Sequence, residues 1–244
     1  MKDNFSHNSQ QYQSFRPLFP EEFIDAIVSH CPERKCALDV GTGNGQIAIQ
    51  LSKHFLTVEA IDISQNQMNL APKRSNIRYT VQSAEKTDFP DQFFDLVIAG
   101  QAAHWFDADT FYKEVNRILP ADGIVALIGY GLVSVNSEVN EILDLFYRQI
   151  VGPYWDPERR HIDHHYRDLS FPFSELSIRQ HQMIYTWSFD HLIGYLNTWS
   201  AIKNFIGKNN FSPLHNLIPK LREAWGNPVF REVSFPLFNR IGRK

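Results

Sequence analysis

The chain has 244 residues, a formal net charge of −3, 43% hydrophobic and 21% charged residues. This is the composition of an ordinary globular protein, long enough for one large domain or one domain with a sizeable insertion. The balanced charge excludes the basic footprint that nucleic acid or an anionic membrane requires, so neither is expected as a partner. No apolar run reaches the length of a membrane span, and the polar start MKDNFSHNSQ lacks the core of a signal peptide. A cytoplasmic setting is therefore expected. Cys31 and Cys36 are too few for a disulfide framework and read as buried thiols. Aromatic residues reach 14%, which points either to an apolar substrate chamber or to a Phe-rich core.

In chain order, EEFIDAIVSH after Pro20 carries apolar residues at helical spacing. CALDV reads as a buried strand, GTGNG as a turn and GQIAIQLSKHF as the next helix. TVEAIDI is a second strand, followed by a helix that Ser64 would cap. IRYTVQS and FFDLVIAGQ read as strands three and four, the fourth apolar enough to be central. ADTFYKEVNRIL is a helix ending before Pro120, and GIVALIGY a fifth strand. This alternation predicts a parallel sheet covered by helices. After Tyr130 the pattern changes. VNSEVNEILDLFYRQIV reads as one amphipathic helix, and residues 152–172 as a loop rich in Pro, Trp, Arg and His. SIRQHQMIYTWS is predicted as a strand, and FDHLIGYLNTWSAIKNF and LHNLIPKLREAW as helices, the second disturbed by Pro219. VFREVSFPLFNRI is predicted as a final edge strand, since Pro236 cannot donate to a ladder.

The strongest local signal is Asp39-Val40-Gly41-Thr42-Gly43-Asn44-Gly45, between a buried strand and a helix. Gly41 permits a tight turn, and Gly43 lets backbone approach a ligand where a Cβ would intrude. Asp62 ends the second strand roughly 20 residues further on, where a carboxylate can accept both ribose hydroxyls. A dinucleotide site carries glycines in the G-x-G-x-x-G register, and an acid facing a pyrophosphate would repel it. Here the glycines alternate, and Asp39 precedes them. That favours an adenosine cofactor bearing an ammonium group. The competing role for Asp39 is to bond the N–H groups of the turn alone.

LDVGTGNG at 38–45, EAIDIS at 59–64, SAEKTDFPDQFFDLVIAG at 83–100 and QAAHWFD at 101–107 resemble the class I S-adenosylmethionine-dependent methyltransferases. The resemblance implies an α/β, Rossmann-like fold, mostly parallel with an antiparallel edge strand and a helical insertion roofing the site. It implies S-adenosyl-L-methionine as cofactor, with S-adenosyl-L-homocysteine as product. It assigns cofactor contacts to Asp39, Gly41, Thr42, Gly43, Asp62, Ile63, Met68, Ala84, Glu85, Gln101 and Ala102. The opening YQSFRPLFPEEF, with PYWDPERRHIDHHY at 153–166 and YLNTWSA, is similar to a subgroup of type 11 methyltransferases that includes trans-aconitate methyltransferase-like enzymes. In that subgroup the opening folds over the cofactor, adding Tyr12 and Arg16. The implied organisation is one methyltransferase domain, with a cofactor half at 1–132, a mostly helical substrate cover at 133–228 and the final strand at 229–244.

Methyl transfer from a sulfonium needs alignment and exclusion of water rather than a protein nucleophile or a metal. His104 is the candidate catalytic residue, as a base or as a hydrogen-bonding partner of the acceptor. Trp105, Tyr154, Trp155, Arg159, Arg160 and Tyr166 are candidates for the acceptor site, because arginine suits bidentate recognition of a carboxylate. His161, His164 and His165 lack the spacing of a metal site, so no metal is expected. The reading is a small-molecule methyltransferase, with O-methylation of a carboxylic acid leading, acting as a monomer or homodimer. A non-catalytic cofactor binder and an NAD-dependent oxidoreductase are the competing functions.

Overall fold

The computed structural model describes residues 14–244. A helix, α1 (Glu21–Val28), precedes β1 (Cys36–Val40), α2 (Gln46–Leu51), β2 (Thr57–Asp62), the short α3 (Gln65–Met68) and β3 (Ile77–Val81). Then come β4 (Leu96–Gly100), α4 (Ala108–Ile118) and β5 (Ile124–Tyr130). The late half holds α5 (Ser137–Leu145), α6 (Arg160–Asp163), β6 (Ser174–Leu176), β7 (Met183–Ser188), α7 (Phe189–Asn197), α8 (Ser200–Asn209), α9 (Ile218–Trp225), β8 (Phe230–Phe235) and β9 (Leu237–Arg243). A seven-stranded sheet runs in the order β3-β2-β1-β4-β5-β9-β6. Its first five strands are parallel, and β9 is antiparallel to both neighbours. This is the Rossmann-like arrangement expected from the alternating elements, with β4 at the centre.

The centre of the sheet is apolar on both faces, and successive residues of β1, β4 and β5 enter opposite cores. Ala37, Leu96, Ile98, Ala126 and Ile128 pack with α1, α2 and the late helices. Leu38, Val40, Val97, Ala99 and Leu127 pack with α4. Several helix starts follow from a side chain that accepts an otherwise orphan N–H. Asp107 accepts from Thr110, Asn136 from Val139, and Ser64 from Gln67, as its position in the sequence predicts. Cys31 and Cys36 are buried free thiols, pushed up to about 12 and about 11 by burial.

Several elements differ from their prediction. The segment foreseen as a loop at 152–172 carries α6, and the helix foreseen through Val151 ends as an α-helix at Leu145 and continues as a wider turn over Phe146–Ile150. The strand foreseen at 177–188 begins only at Met183, because Ile178 is the sole apolar residue between 177 and 182 and no face exists to bury. The helix foreseen from Phe189 breaks at Trp199, whose extended backbone starts α8. Pro219 falls in the first turn of α9, where its missing N–H costs nothing. Pro236 divides the terminal strand: β8 leaves to pair with β7, while β9 enters the main sheet. The outer edge then belongs to β6, three residues too short to carry a recognisable pattern.

Candidate functional site

The loop after β1 explains its alternating glycines. Gly41, Gly43 and Gly45 have φ of +68°, +55° and +79°, a region that disfavours residues with a Cβ. A Cβ on Gly41 would lie 2.6 Å from the Ala102 Cβ, so the loop presses against the segment after β4. At Gly43 the nearest atom to such a Cβ is the Gln67 Oε1 at 3.9 Å, which leaves space for a ligand. The loop is tied to β2 by Gly41 N–H and Thr42 N–H, both donating to Ile61 O at 2.9 Å.

Asp39 is 1% exposed. Its Oδ2 accepts from Thr42 Oγ at 2.6 Å and from Ala48 N–H at 3.0 Å. Its Oδ1 is buried with no hydrogen-bond partner. Burial pushes the carboxyl up to about 7, overcoming the two hydrogen bonds, and the Asp62 charge adds to the rise. An orphan buried carboxylate oxygen is costly, so its place in a cleft wall marks a position for a donor or cation supplied by a ligand. Asp62 is held by the backbone: Gly43 N–H donates to Oδ2 and Ser64 N–H to Oδ1, each at 2.8 Å.

Asp39, Gly41, Thr42, Gly43, Asp62 and Ile63 line one cleft, closed on its far side by Arg16, Gln101, Ala102 and Trp105. The glycine cradle, the orphan oxygen and the anchored second carboxylate fit a nucleoside with a cationic amino-acid end. Gln101 takes φ +53°, an uncommon state for a residue with a Cβ. The surrounding structure holds it there: its N–H donates to Ile128 O at 2.9 Å and its side-chain amide to Tyr130 O at 2.8 Å.

Arg16, Gln101 and Trp105 also face a second, smaller chamber with His104, Trp155, Asp156, Arg159 and Ser200. His104 is buried, and its Nδ1 lies 3.2 Å from the Tyr166 hydroxyl. Burial holds the imidazole well below its ordinary pKa, reinforced by the charges of Arg159, His161 and Arg16, so it is neutral at pH 7. Arg16 reaches Tyr130 Oη and Thr198 O, both at 3.4 Å.

The remaining predicted residues are placed otherwise. Tyr12 lies outside the described residues. Met68 and Ala84 are buried beside the cleft without lining it. Glu85 accepts from Asp107 N–H at 3.1 Å and from the Ser83 hydroxyl. Tyr166 sits behind His104 rather than in the chamber. Two acceptor candidates face elsewhere: Arg160 is exposed outside the chamber, and Tyr154 packs on Phe205 with its hydroxyl accepting from Asn209. Sequence reasoning missed Asn44, buried in the loop with an unpartnered amide nitrogen, and Gln67, Tyr130, Asp156 and Ser200. Asn44 was visible within the motif; Asp156 and Ser200 carry no signal of their own. His161 and His164 both bond Asp168 Oδ2, at 2.9 and 3.2 Å.

A methyltransferase-domain family model matches residues 38–127, the stretch holding both carboxylates and the glycine loop. A Dictyostelium discoideum protein named as a methyltransferase is 33% identical over 250 residues, spanning 99% of this chain and 95% of that one. A Saccharomyces cerevisiae protein named as an S-adenosylmethionine-dependent methyltransferase is 25% identical over 65% of this chain and 59% of its own length. Among solved structures, one named for a type II methyltransferase of Anaeromyxobacter dehalogenans superposes with a TM-score of 0.86 at 36% identity, covering 94% of this chain and 98% of that one.

Proposed function

The chain belongs to the S-adenosylmethionine-dependent methyltransferases, and from that premise we propose that it methylates a small carboxylic acid on oxygen. When bound, S-adenosylmethionine supplies a methyl group activated by a positively charged sulfur, which leaves by in-line displacement. The observation that carries the site assignment is the unpartnered Oδ1 of Asp39 in the same cleft as the backbone-anchored Asp62. Asp39 would meet the cofactor's ammonium group, and Asp62 its ribose hydroxyls. The turn of Gly41, Thr42 and Gly43 would hold the amino-acid portion, and Ile63 and Ala102 the adenosine.

The smaller chamber is the acceptor site. Arg159 and Arg16 supply positive charge, and Trp105 and Trp155 supply apolar walls. A carboxylate is already ionised at neutral pH, so it needs alignment and no base. His104, kept neutral by burial, orients the acceptor through a hydrogen bond. In this reading residues 1–132 hold the cofactor, and 133–228 close over the acceptor and limit its size.

Incubation with S-adenosylmethionine and pools of carboxylic acids, phenols and amines, followed by mass spectrometry, tests the acceptor class. Methyl esters are expected from the acid pool. Products from phenols or amines alone would refute the carboxylate reading while leaving the methyltransferase intact.

A further inference from the structure

Arg159 is held by only one edge of its guanidinium. Its Nε donates to the Tyr147 hydroxyl at 2.9 Å, and that hydroxyl donates to Asp163 Oδ1 at 2.7 Å. Asp163 Oδ1 also lies 3.8 Å from Arg159 Nε. The guanidinium carbon sits 4.8 Å from the centre of the Trp155 ring and 5.6 Å from that of Tyr147. Trp155 is in turn tied to Tyr147 O through its indole N–H at 3.3 Å. The two terminal nitrogens of Arg159 make no hydrogen bond to any described residue, and the side chain lines the acceptor chamber.

We propose that Tyr147 and Asp163 position Arg159, leaving its terminal nitrogens as a two-pronged clamp for an anionic group of the acceptor. This rests on the reading of the smaller chamber as the acceptor site. A guanidinium presents five donors in one plane, and the bidentate geometry needs the Nη1–Nη2 edge turned towards the anion. Anchoring Nε and stacking the flat face fix that orientation before the acceptor arrives. Burial keeps the Tyr147 phenol protonated, so it donates to Asp163 and accepts from Arg159 at neutral pH. Tyr147 itself lines neither cavity. It is a positioning residue, and it acts only through Arg159.

The test uses phenylacetate and its neutral analogue phenylacetamide as probes, titrated by tryptophan fluorescence into protein saturated with S-adenosylhomocysteine. Tyr147→Phe retains the ring packing and removes both hydrogen bonds. Phenylacetate is expected to bind the wild type more tightly than phenylacetamide. Tyr147→Phe should weaken phenylacetate about tenfold, the scale of one hydrogen bond to a charged group, with phenylacetamide and S-adenosylhomocysteine unaffected. Asp163→Ala, at a half-exposed position, should act in the same direction by about threefold, and serves if Tyr147→Phe does not fold. Equal weakening of both probes by either variant, or no preference of the wild type for the acid, overturns the proposal. With a turned-over acid, Tyr147→Phe should raise KM and spare kcat. If acids bind in this way but no ester forms, the proposed acceptor chemistry fails and the clamp stands. If esters form with KM unchanged in the variant, the clamp fails and the chemistry stands.

Discussion

Asp39→Asn isolates the charge that the cofactor's ammonium group is proposed to meet. The wild-type carboxyl is raised from 3.8 to about 7, chiefly by burial. A raised carboxyl holds its proton more tightly in the folded state than in the unfolded one. The ligand-free protein should therefore lose stability as pH rises from about 4 to about 7, with the loss complete above that window. At about 1.4 kcal/mol per unit over about three units, the full penalty is up to about 4 kcal/mol at pH 8. A bound ammonium beside Oδ1 reverses the penalty, because it favours the ionised form. Below pH 7, binding then releases a proton, and affinity for S-adenosylhomocysteine falls by up to tenfold per unit. Asp39→Asn is isosteric and neutral. It should melt higher than wild type without ligand at about pH 8, bind more weakly there, and show no pH dependence from this site. Calorimetry from about pH 6 to about pH 8, in buffers of different ionisation heat, reads both affinity and proton release. A wild-type affinity that is flat across that range, with no proton released, would refute the reasoning.

Asp62→Ala removes the proposed ribose acceptor and the anchor of Gly43 N–H together; two charge-assisted hydrogen bonds at about 1.5–3 kcal/mol each predict at least a hundredfold loss of S-adenosylhomocysteine affinity in an equilibrium titration. Glu114→Gln disturbs a bond set remote from both cavities, in which Glu114 accepts from Thr87 N–H at 2.8 Å and from Arg117. It should cost about 2–3 kcal/mol in urea melts with cofactor affinity unchanged. Burial opposes its ionisation, but the bonds from Arg117 and Thr87 prevail and lower the pKa, so this contribution is present above the ordinary carboxylate range and fades as pH falls through the lowered value. Because His104 is held well below its ordinary pKa, kcat/KM for an acid acceptor should show no inflection near about 6.5, and a limb there that vanishes in His104→Gln would restore the base role.

The cleft proposed for the cofactor was legible in the sequence because local backbone geometry demands its residues. Three alternating glycines all fall at positive φ, and the acid at the end of β2 reaches back to the Gly43 N–H through adjacent parallel strands. The smaller chamber, proposed as the acceptor site, was legible only in part. It draws on Arg16, the turn after β4, the segment from Trp155 to Arg159, and Ser200, four places that no periodicity links. The adjacent pair Arg159 and Arg160 shows the limit. Consecutive residues on a helical turn point about 100° apart, so one side chain enters the chamber and the other meets solvent. No sequence signal states which. Tyr147 was beyond reach for a related reason: its hydroxyl gains meaning only when the turn after α5 meets α6 in space.

The aromatic surplus left open in the sequence resolves in the same tertiary contacts. Most rings are core, but one connected group also seats the charges of the chamber. Arg16 lies over Tyr195 at 5.4 Å, and Arg159 over Trp155 and Tyr147. Those rings join through Trp199, which meets Tyr195 and Tyr147 edge-on at 6.0 and 5.7 Å and Trp155 at 5.4 Å. Both guanidiniums therefore rest on a single packed unit contributed by α7, the start of α8 and the segment after α5. The apolar core and the charge pattern of the smaller chamber are thus the same physical object, which is why composition alone could not decide between them.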